Sequence, residues 1–374
     1  MTQKPERFLA LDVFRGMTIV FMIIVNDPGS AASFAPLDHA HWFGFTPTDL
    51  VFPSFLFAMG NAMSFSLKKF ADISNAAYFW KIFKRGALIF LCGYLLYWFP
   101  FFQHTASGWS LSPISDTRIM GVLQRIGLCY IFAGLMIRFF SKTGVIVTSI
   151  LLLLGYWFAL LIFGDHDNPF GMLTNAGTYV DKAILGDSHM YHGEGVAFDP
   201  EGILSTLPAI VNVIVGYYAG VFIQKKGKVY ETLSKLLLLG ALFIFLALCW
   251  NMAFPIAKKL WSSPFVLVTT GIDLILISAL IYVMDIYVGR KWGWTSFFLT
   301  VGKNPLAVYL LSELLGTLND MASTKNFNVL GSVDKATQWI APGALGSLFF
   351  AIVYMLICWC FGKFLEVKKI YIRL

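Results

Sequence analysis

Long apolar runs that are almost free of charged residues recur along this sequence, from residue 9 to residue 362. A run of roughly 17–25 apolar residues is long enough to cross the hydrocarbon core of a bilayer as a helix. Of the 374 residues, 57% are hydrophobic and only 13% are charged, which is about half the charged fraction of an average soluble domain. The composition therefore excludes a disordered protein and an ordinary soluble globule.

The apolar runs predict an all-α, polytopic membrane protein of about ten transmembrane helices, with eleven as the alternative. We expect a single domain over residues 1–374, because no soluble domain and no convincing internal repeat is evident. The predicted spans are residues 9–27, 47–67, 85–102, 118–140, 144–163, 203–224, 236–254, 264–286, 296–316 and 343–362.

The basic residues predict which way the spans face. Most of the 28 Lys and Arg fall in one set of alternate connections, for example within 68–69, 81–85 and 225–235. Cytoplasmic loops are enriched in Lys and Arg, so we expect both termini in the cytoplasm and the other loops outside. This asymmetry also explains the net charge of +7, and no nucleic-acid partner is expected.

The cysteines and histidines do not suggest a disulfide framework or a metal centre. All five cysteines lie inside apolar runs, and all six histidines lie in predicted outer loops. The histidine spacing is not that of a zinc-binding helix motif. We therefore expect no metal in the site.

The segment 38–53 is the polar stretch with the clearest chemical potential. Thr46 followed by Pro47 is typical of a helix N-cap and first-turn proline, which places Asp49 in the first helical turn. A carboxylate held there beside His39 would orient the imidazole and raise its basicity. A catalytic loop and a structural interfacial loop fit these residues equally well.

Two arginines occur inside or beside the least apolar span. Arg118 and Arg125 are seven residues apart, which predicts that they share one face of a helix about 10 Å apart. Two guanidinium groups lining a channel would suit a phosphate-bearing anionic ligand. The alternative is an internal ion pair with an acidic residue such as Asp273 or Glu313.

The tripeptide Lys303-Asn304-Pro305 is predicted to break the ninth span. Proline removes a backbone donor and frees a carbonyl group, and such breaks are common where a helix lines a cavity. Many other polar residues map to the outer ends of predicted spans, which favours an outward-facing site. These residues are Asn26, Asp27, His39, His41, Asp49, Arg118, Asp199, Glu201 and Glu313.

Several blocks, taken in order, resemble the heparan-α-glucosaminide N-acetyltransferase family and its bacterial relatives. Each block is modest alone, but their shared order from residue 11 to about 309 makes the resemblance specific. The blocks are LDVFRG (11–16), VN (25–26), HAHWFGFT (39–46), DLVFP (49–53), RIMGVLQRIG (118–127), DPEGILST (199–206), KLW (259–261) and GKNPLAVY (302–309).

The resemblance implies an enzyme that moves an acetyl group from cytoplasmic acetyl-CoA to the amine of a glucosamine unit across the membrane. His39 matches the family's active histidine, and Asn26 matches its asparagine near the end of the first span. We therefore predict that His39 is the general base, that Asn26 is an oxyanion or substrate-orienting donor, and that Asp49 orients His39. A covalent acetyl-His39 intermediate is the alternative.

The same resemblance sets the expected cofactor and partners. Acetyl-CoA is the expected co-substrate, with Arg118, Arg125, Lys303 and Asn304 as candidate contacts to its phosphates or pantetheine. A glucosamine-containing oligosaccharide and membrane lipid are expected partners, and a homodimer stays open. The sequence lacks the large lumenal N-terminal region of the animal enzyme, so a bacterial inner-membrane location is expected.

Two other classes of function remain open at the level of sequence. A transporter of amino sugars or other small polar solutes would also contain buried charge and a proline-broken span. Against this interpretation, no matched pair of broken spans occurs in two halves of the chain, and the polar residues lie mostly on one side. A structural or assembly protein is the third class, but it would not require a histidine beside buried arginine.

Overall fold

The computed structural model of the protein describes residues 8–105, 108–287, 293–323 and 328–372. This part of the chain is mostly helical, with one short antiparallel hairpin of β1 (Phe102–Thr105) and β2 (Gly108–Leu111). The helices are α1 (Leu9–Asn26), α2 (Val51–Ser66), α3 (Asn75–Trp98), α4 (Val122–Phe139), α5 (Lys142–Phe163), α6 (Ala176–Ile184), α7 (Thr206–Lys226), α8 (Tyr230–Asn251), α9 (Ser263–Ile281), α10 (Gly293–Lys303), α11 (Pro305–Ala322), α12 (Val329–Ile340) and α13 (Ala344–Val367).

Eight helical segments among the described residues are long and apolar enough to cross a membrane. They are residues 9–26, 47–70, 122–139, 142–163, 206–226, 230–251, 263–287 and 344–367. The remaining two predicted spans also contain helix, in α3 and in the pair α10 and α11. The all-α, multi-pass architecture is confirmed, whereas the count of ten, the single domain and the cytoplasmic termini stay predictions. Residues 1–7 and 373–374 lie outside the described residues.

The predicted third span, residues 85–102, overlaps α3, but this helix begins earlier, at Asn75, and ends at Trp98. The backbone N–H of Ala77 donates to Ser74 Oγ at the start of this helix, at 3.3 Å. Lys81 and Arg85 lie on the exposed surface of α3. Charged residues do not stop a helix whose charged groups reach solvent, so a search for apolar runs alone begins the helix too late.

The predicted break at Lys303-Asn304-Pro305 is confirmed, since α10 ends at Lys303 and α11 begins at Pro305. Asn304 lies between the two helices and is fully buried. Its side chain donates to the Ile370 carbonyl oxygen and accepts from the Ile372 backbone N–H, both at 3.0 Å. The break therefore holds the segment that follows α13.

Helices α2 and α7 approach each other through glycine. A Cβ added at Gly60 would lie 1.9 Å from the Val213 carbonyl oxygen, and one at Gly216 would lie 2.1 Å from the Phe57 carbonyl oxygen. In lipid, helices associate largely through van der Waals packing, so small residues at such contacts let two backbones meet closely. This contact places the start of α2, which carries the His39 loop, against the start of α7.

The loops at one end of the bundle contact one another, and we call this the His39 end. It comprises the described parts of the connections 27–50, 99–121, 164–205, 252–262 and 323–343. The Gly44 backbone N–H donates to the Ile256 carbonyl oxygen at 2.7 Å, and Trp42 Nε1 donates to the Phe170 carbonyl oxygen at 2.8 Å. We call the opposite end, which carries the break between α10 and α11, the Lys303 end.

The glycine contact predicts a stability difference between two glycine-to-alanine variants. Gly60→Ala adds a methyl group where no space exists, and overpacking of this kind costs roughly 1–3 kcal/mol. Gly155→Ala on α5 is the matched control, because nothing lies within 4 Å of the added Cβ. We expect a lower melting temperature in detergent for Gly60→Ala only. Equal melting temperatures for the two variants would contradict the close packing of α2 and α7.

Candidate active site

His39 lies in the loop between α1 and α2, and its ring is held by a buried carboxylate. His39 Nδ1 lies 2.8 Å from Asp49 Oδ1, and Asp49 is completely buried in the single 3₁₀ turn Pro47–Leu50 that precedes α2. The histidine side chain itself remains 36% exposed. The structure therefore brings together two of the predicted catalytic residues.

The second carboxylate oxygen of Asp49 holds the loop in place. Asp49 Oδ2 accepts from the backbone N–H groups of Ala40 and Thr46, at 3.2 and 3.0 Å, and from the Thr46 hydroxyl at 3.1 Å. Thr46 and Pro47 begin the turn as the sequence predicts. An ionised carboxylate only accepts hydrogen bonds, so the proton between Asp49 and His39 belongs to Nδ1. This assignment leaves Nε2 as the basic nitrogen.

A lysine that the sequence analysis did not select also contacts His39. Lys258 Nζ lies 3.1 Å from His39 Nδ1 and 3.0 Å from Nε2, although the two residues are 219 positions apart in the chain. Burial lowers the pKa of Lys258 below its ordinary value, against the opposing effect of the Asp49 and Glu201 carboxylates. No motif spacing connects the two residues, so only the fold reveals the contact.

The neighbouring lysine attaches the same turn to the His39 loop. Lys259 Nζ donates to the His41 carbonyl oxygen at 2.8 Å and pairs with Glu194. The connection between α8 and α9 thus contacts the His39 loop at His39, His41 and Gly44. His41 contributes its backbone rather than its ring to this attachment.

Arg118 is the centre of a second polar cluster at the His39 end. Its Nη2 donates to Asp199 Oδ1 at 2.6 Å and to Glu201 Oε2 at 2.7 Å, and its Nη1 donates to the Tyr97 hydroxyl at 3.3 Å. The guanidinium also lies over the rings of Tyr97 and Tyr191, at 5.2 and 4.9 Å. Burial opposes the charge, yet the two carboxylates raise the pKa of Arg118 above its ordinary value. The partners are therefore Asp199 and Glu201, not Asp273 or Glu313.

The predicted shared helix face of Arg118 and Arg125 is wrong, because α4 begins only at Val122. Arg118 lies in the extended segment before the helix, where the Ile119 backbone N–H donates to the His189 carbonyl oxygen at 3.1 Å. This segment binds to the 187–201 loop through hydrogen bonds and the Arg118 ion pairs. These interactions replace the helical hydrogen bonds that the sequence pattern predicts.

Arg125 lies within α4 and is completely buried. Its Nη2 donates to the Gly202 carbonyl oxygen at 3.0 Å and bonds to Ser205 Oγ, and its guanidinium lies 4.7 Å from the centre of the Trp261 ring. Among the described residues, Nε and Nη1 have no hydrogen-bond partner. A buried guanidinium with two free donor groups can receive an acceptor group from a ligand.

A small cavity lies between the His39 loop and the Arg118 cluster. Its lining includes Trp42 and Lys259 from the side of the His39 loop, and Asp199 and Ser205 from the side of the arginines. Asp181 lines it as well, and burial raises the pKa of this carboxyl to about 7. Residues of the His39 loop and residues that contact the arginines therefore line the same cavity.

Lys303 and Asn304 lie away from this region, at the Lys303 end of the bundle. Lys303 pairs with Glu366 of α13, and Asn304 binds the backbone of 370–372. α11 separates this break from the His39 end by 18 residues, or about 27 Å of helix. Asn26 is exposed at the end of α1, and α1 contacts the turn that carries Asp49.

The fold and the site define a polytopic membrane protein with a carboxylate-oriented histidine at one end of its helical bundle. The family model described as "Heparan-alpha-glucosaminide N-acetyltransferase, catalytic" matches residues 7–185, which include Asn26, His39, Asp49 and both arginines. These matches support membership of the chain in the heparan-α-glucosaminide N-acetyltransferase family.

Two similar proteins are the heparan-α-glucosaminide N-acetyltransferases of human and mouse. The human protein is 29% identical over 373 residues, and the mouse protein is 30% identical over 368 residues. These alignments cover 84% and 83% of this chain but 54% of each relative. The chain therefore spans about half the length of the relatives that it matches.

The Arg118 cluster predicts a large loss of stability when its cation is removed. Arg118→Met leaves the Asp199 and Glu201 carboxylates without their cation, and breaking a buried pair in this way costs about 3–5 kcal/mol. The free energy of unfolding, followed by thermal melting in detergent, should fall accordingly. Adding Asp199→Asn and Glu201→Gln to Arg118→Met should recover part of the loss.

The matched control is Lys235→Met, which removes an exposed pair with Glu231 on α8. We expect no measurable change in its melting temperature, since exposed ion pairs contribute little to stability. An Arg118→Met protein as stable as the control would show that the Arg118 cluster does not hold the loops together.

Proposed function

We propose that the protein is a membrane-embedded N-acetyltransferase that transfers the acetyl group of acetyl-CoA to the amine of a glucosamine unit. The observation that carries this proposal is the His39–Asp49 pair, in which Nδ1 is held at 2.8 Å by a buried carboxylate and the ring stays accessible. The named activity of the two relatives supports the same chemistry.

In the proposed reaction, His39 Nε2 acts as the general base. The nitrogen of a neutral amine bonds to the thioester carbonyl carbon, and the carbonyl π electrons move to oxygen to give a tetrahedral intermediate. The amine proton passes to Nε2, which makes the ring cationic, and Asp49 stabilises that cation. When the intermediate collapses, the C–S bond breaks and the CoA thiolate takes the proton from Nε2.

Arg125 is the proposed contact for acetyl-CoA near the reacting groups. Two of its donor groups have no partner among the described residues, so a phosphate, amide or thioester oxygen would satisfy a buried cation. The Arg118 guanidinium, in contrast, already donates hydrogen bonds to Asp199, Glu201 and Tyr97. We therefore propose that Arg118 forms the wall of the site and that Arg125 is the ligand contact.

Lys303 and Asn304 are proposed to meet acetyl-CoA where it enters, at the Lys303 end. Exposed basic residues also occur at that end, among them Lys225 and Lys226 at the end of α7. An excess of Lys and Arg favours a cytoplasmic location for that end. The His39 end would then face the acceptor sugar, with Asn26 as an orienting or oxyanion donor, in a bacterial inner membrane.

The proposed sidedness predicts the labelling of introduced cysteines. Asp187 lies at the His39 end with its side chain 65% exposed, and Lys226 is exposed at the Lys303 end. In intact cells, a membrane-impermeant maleimide should label Asp187→Cys, whereas Lys226→Cys should react only after lysis. The reverse pattern would overturn the sidedness.

The proposed function predicts different effects for the two histidines of the loop. His39→Ala should reduce glucosamine acetylation by about 10²–10⁴-fold, the usual cost of losing a general base. His41→Ala is the matched control and should retain most activity, because His41 binds Lys259 through its backbone. The assay is N-acetylglucosamine formation from labelled acetyl-CoA by protein in nanodiscs, with folding checked by size-exclusion chromatography.

Each outcome of this assay bears on a separate part of the proposal. Full activity in His39→Ala would show that another residue is the base. Failure of the wild-type protein to acetylate any amino sugar would contradict the acetyltransferase activity itself and favour transport.

A further inference from the structure

The Lys258 side chain lies beside His39 but has no part in the proton transfer from the amine to Nε2. Its Nζ lies almost equally far from both ring nitrogens, at 3.1 and 3.0 Å. The Nδ1–H bond and the Nε2 lone pair both lie in the ring plane, and each points away from the other nitrogen. Nζ therefore lies along neither direction, and the contact leaves Nε2 able to accept a proton.

The backbone holds Lys258 in this position. The Trp261 backbone N–H donates to the Lys258 carbonyl oxygen at 2.8 Å, and the turn is joined to the His39 loop by the hydrogen bond from Gly44 to Ile256 at 2.7 Å. Trp261 is completely buried. The lysine is thus presented to His39 by a turn that is fixed on both sides.

Among the described residues, the positive charge of Lys258 has no direct counter-ion. Within the described ranges, no carboxylate lies within salt-bridge distance of its Nζ, whereas the adjacent Lys259 is paired with Glu194. Asp49 and Glu201 act on Lys258 only through space. A structural lysine would gain more from a direct pair, so this cation is available to a negative charge that forms during the reaction.

We propose that Lys258 is a catalytic residue whose Nζ donates a hydrogen bond to the oxyanion of the tetrahedral intermediate. This inference rests on the proposed function. When the amine nitrogen bonds to the thioester carbon, the π electrons of the carbonyl move to its oxygen, and that oxygen accepts from Nζ. The electrons return to re-form the carbonyl as the C–S bond breaks, and the CoA thiolate takes the amine proton from His39 Nε2.

The geometry favours this role over a remote electrostatic one. A hydrogen bond to an oxyanion spans roughly 2.7–3.1 Å. An amine that gives its proton to Nε2 must lie within hydrogen-bond distance of that nitrogen, and the carbonyl that it attacks lies one bond further on. A donor held 3.0 Å from Nε2 is therefore beside the reacting carbonyl. A preformed donor of this kind is worth about 10²–10³-fold in kcat.

The first test separates a catalytic from a binding role. Lys258→Met should lower kcat for glucosamine acetylation by about 10²–10³-fold, with little change in KM for acetyl-CoA or in the melting temperature. Lys182→Met is the matched control, because Lys182 is another lysine of the His39 end that pairs with Asp187 at 3.8 Å. An unchanged kcat in Lys258→Met, or a change confined to KM, would overturn the proposal.

Chemical rescue shows whether activity is lost because the positive charge is missing or because the turn that carries residue 258 is disturbed. Lys258→Cys treated with 2-bromoethylamine regains a side chain of nearly the same length that ends in an ammonium group. We expect this treatment to restore activity in Lys258→Cys and to leave Lys258→Met inactive. Absence of rescue in fully alkylated, folded protein would contradict the proposal.

A second readout does not depend on the natural substrate. Diethyl pyrocarbonate reacts with the neutral imidazole nitrogen through a tetrahedral oxyanion at its own carbonyl carbon. The rate of His39 carbethoxylation at pH 8, followed by mass spectrometry, should be at least tenfold lower in Lys258→Met than in the wild type and Lys182→Met. Equal rates would refute the role of Lys258 even if the wild type acetylates glucosamine. A slower rate together with no acetylation by the wild type would refute only the proposed function.

Discussion

The buried carboxylate of Asp49 is the interaction on which the candidate active site depends. One oxygen holds His39 Nδ1 at 2.8 Å, and the other accepts from two backbone N–H groups and a hydroxyl of the same loop. A carboxylate with no exposure to solvent is stable only when its charge is compensated in this way. Asp49 therefore both fixes the loop between α1 and α2 and determines which nitrogen of His39 is basic. In the proposed reaction, the same charge stabilises the cationic ring.

Other contacts at the His39 end hold this loop and its neighbouring segments in place. The turn between α8 and α9 contacts the loop through Lys258 and Lys259 and through the hydrogen bond from Gly44 to Ile256. Arg118 joins the segment before α4 to the segment before α7 through Asp199 and Glu201. These contacts join loops that are far apart in sequence, and Lys259 and Asp199 also line the small cavity. Preorganised polar groups of this kind lower the cost of developing charge in a reaction.

Periodic and local features of the sequence predicted much of this structure. Contacts between residues that are far apart in sequence could not be predicted from it. Apolar runs located the helices, and Thr46-Pro47 located the turn that carries Asp49, because both signals act over a few residues. The shared helix face of Arg118 and Arg125 was predicted wrongly, since long-range ion pairs hold Arg118 outside α4. The apolar pattern also did not indicate the early start of α3, where exposed charged residues lie. Lys258 was overlooked because its contact with His39 joins residues 219 positions apart. The roles of Asn26, Lys303 and Asn304 toward substrate remain predictions.

Acetyl-CoA consumption by the purified protein, measured with and without glucosamine, tests the proposed acetyl transfer directly. CoA release would be followed with a thiol reagent, and N-acetylglucosamine would be quantified in the same samples. We expect CoA release to require glucosamine and one N-acetylglucosamine to form for each CoA released. A rate of CoA release that is the same with and without glucosamine, with no acetylated sugar, would contradict the proposed acetyl transfer.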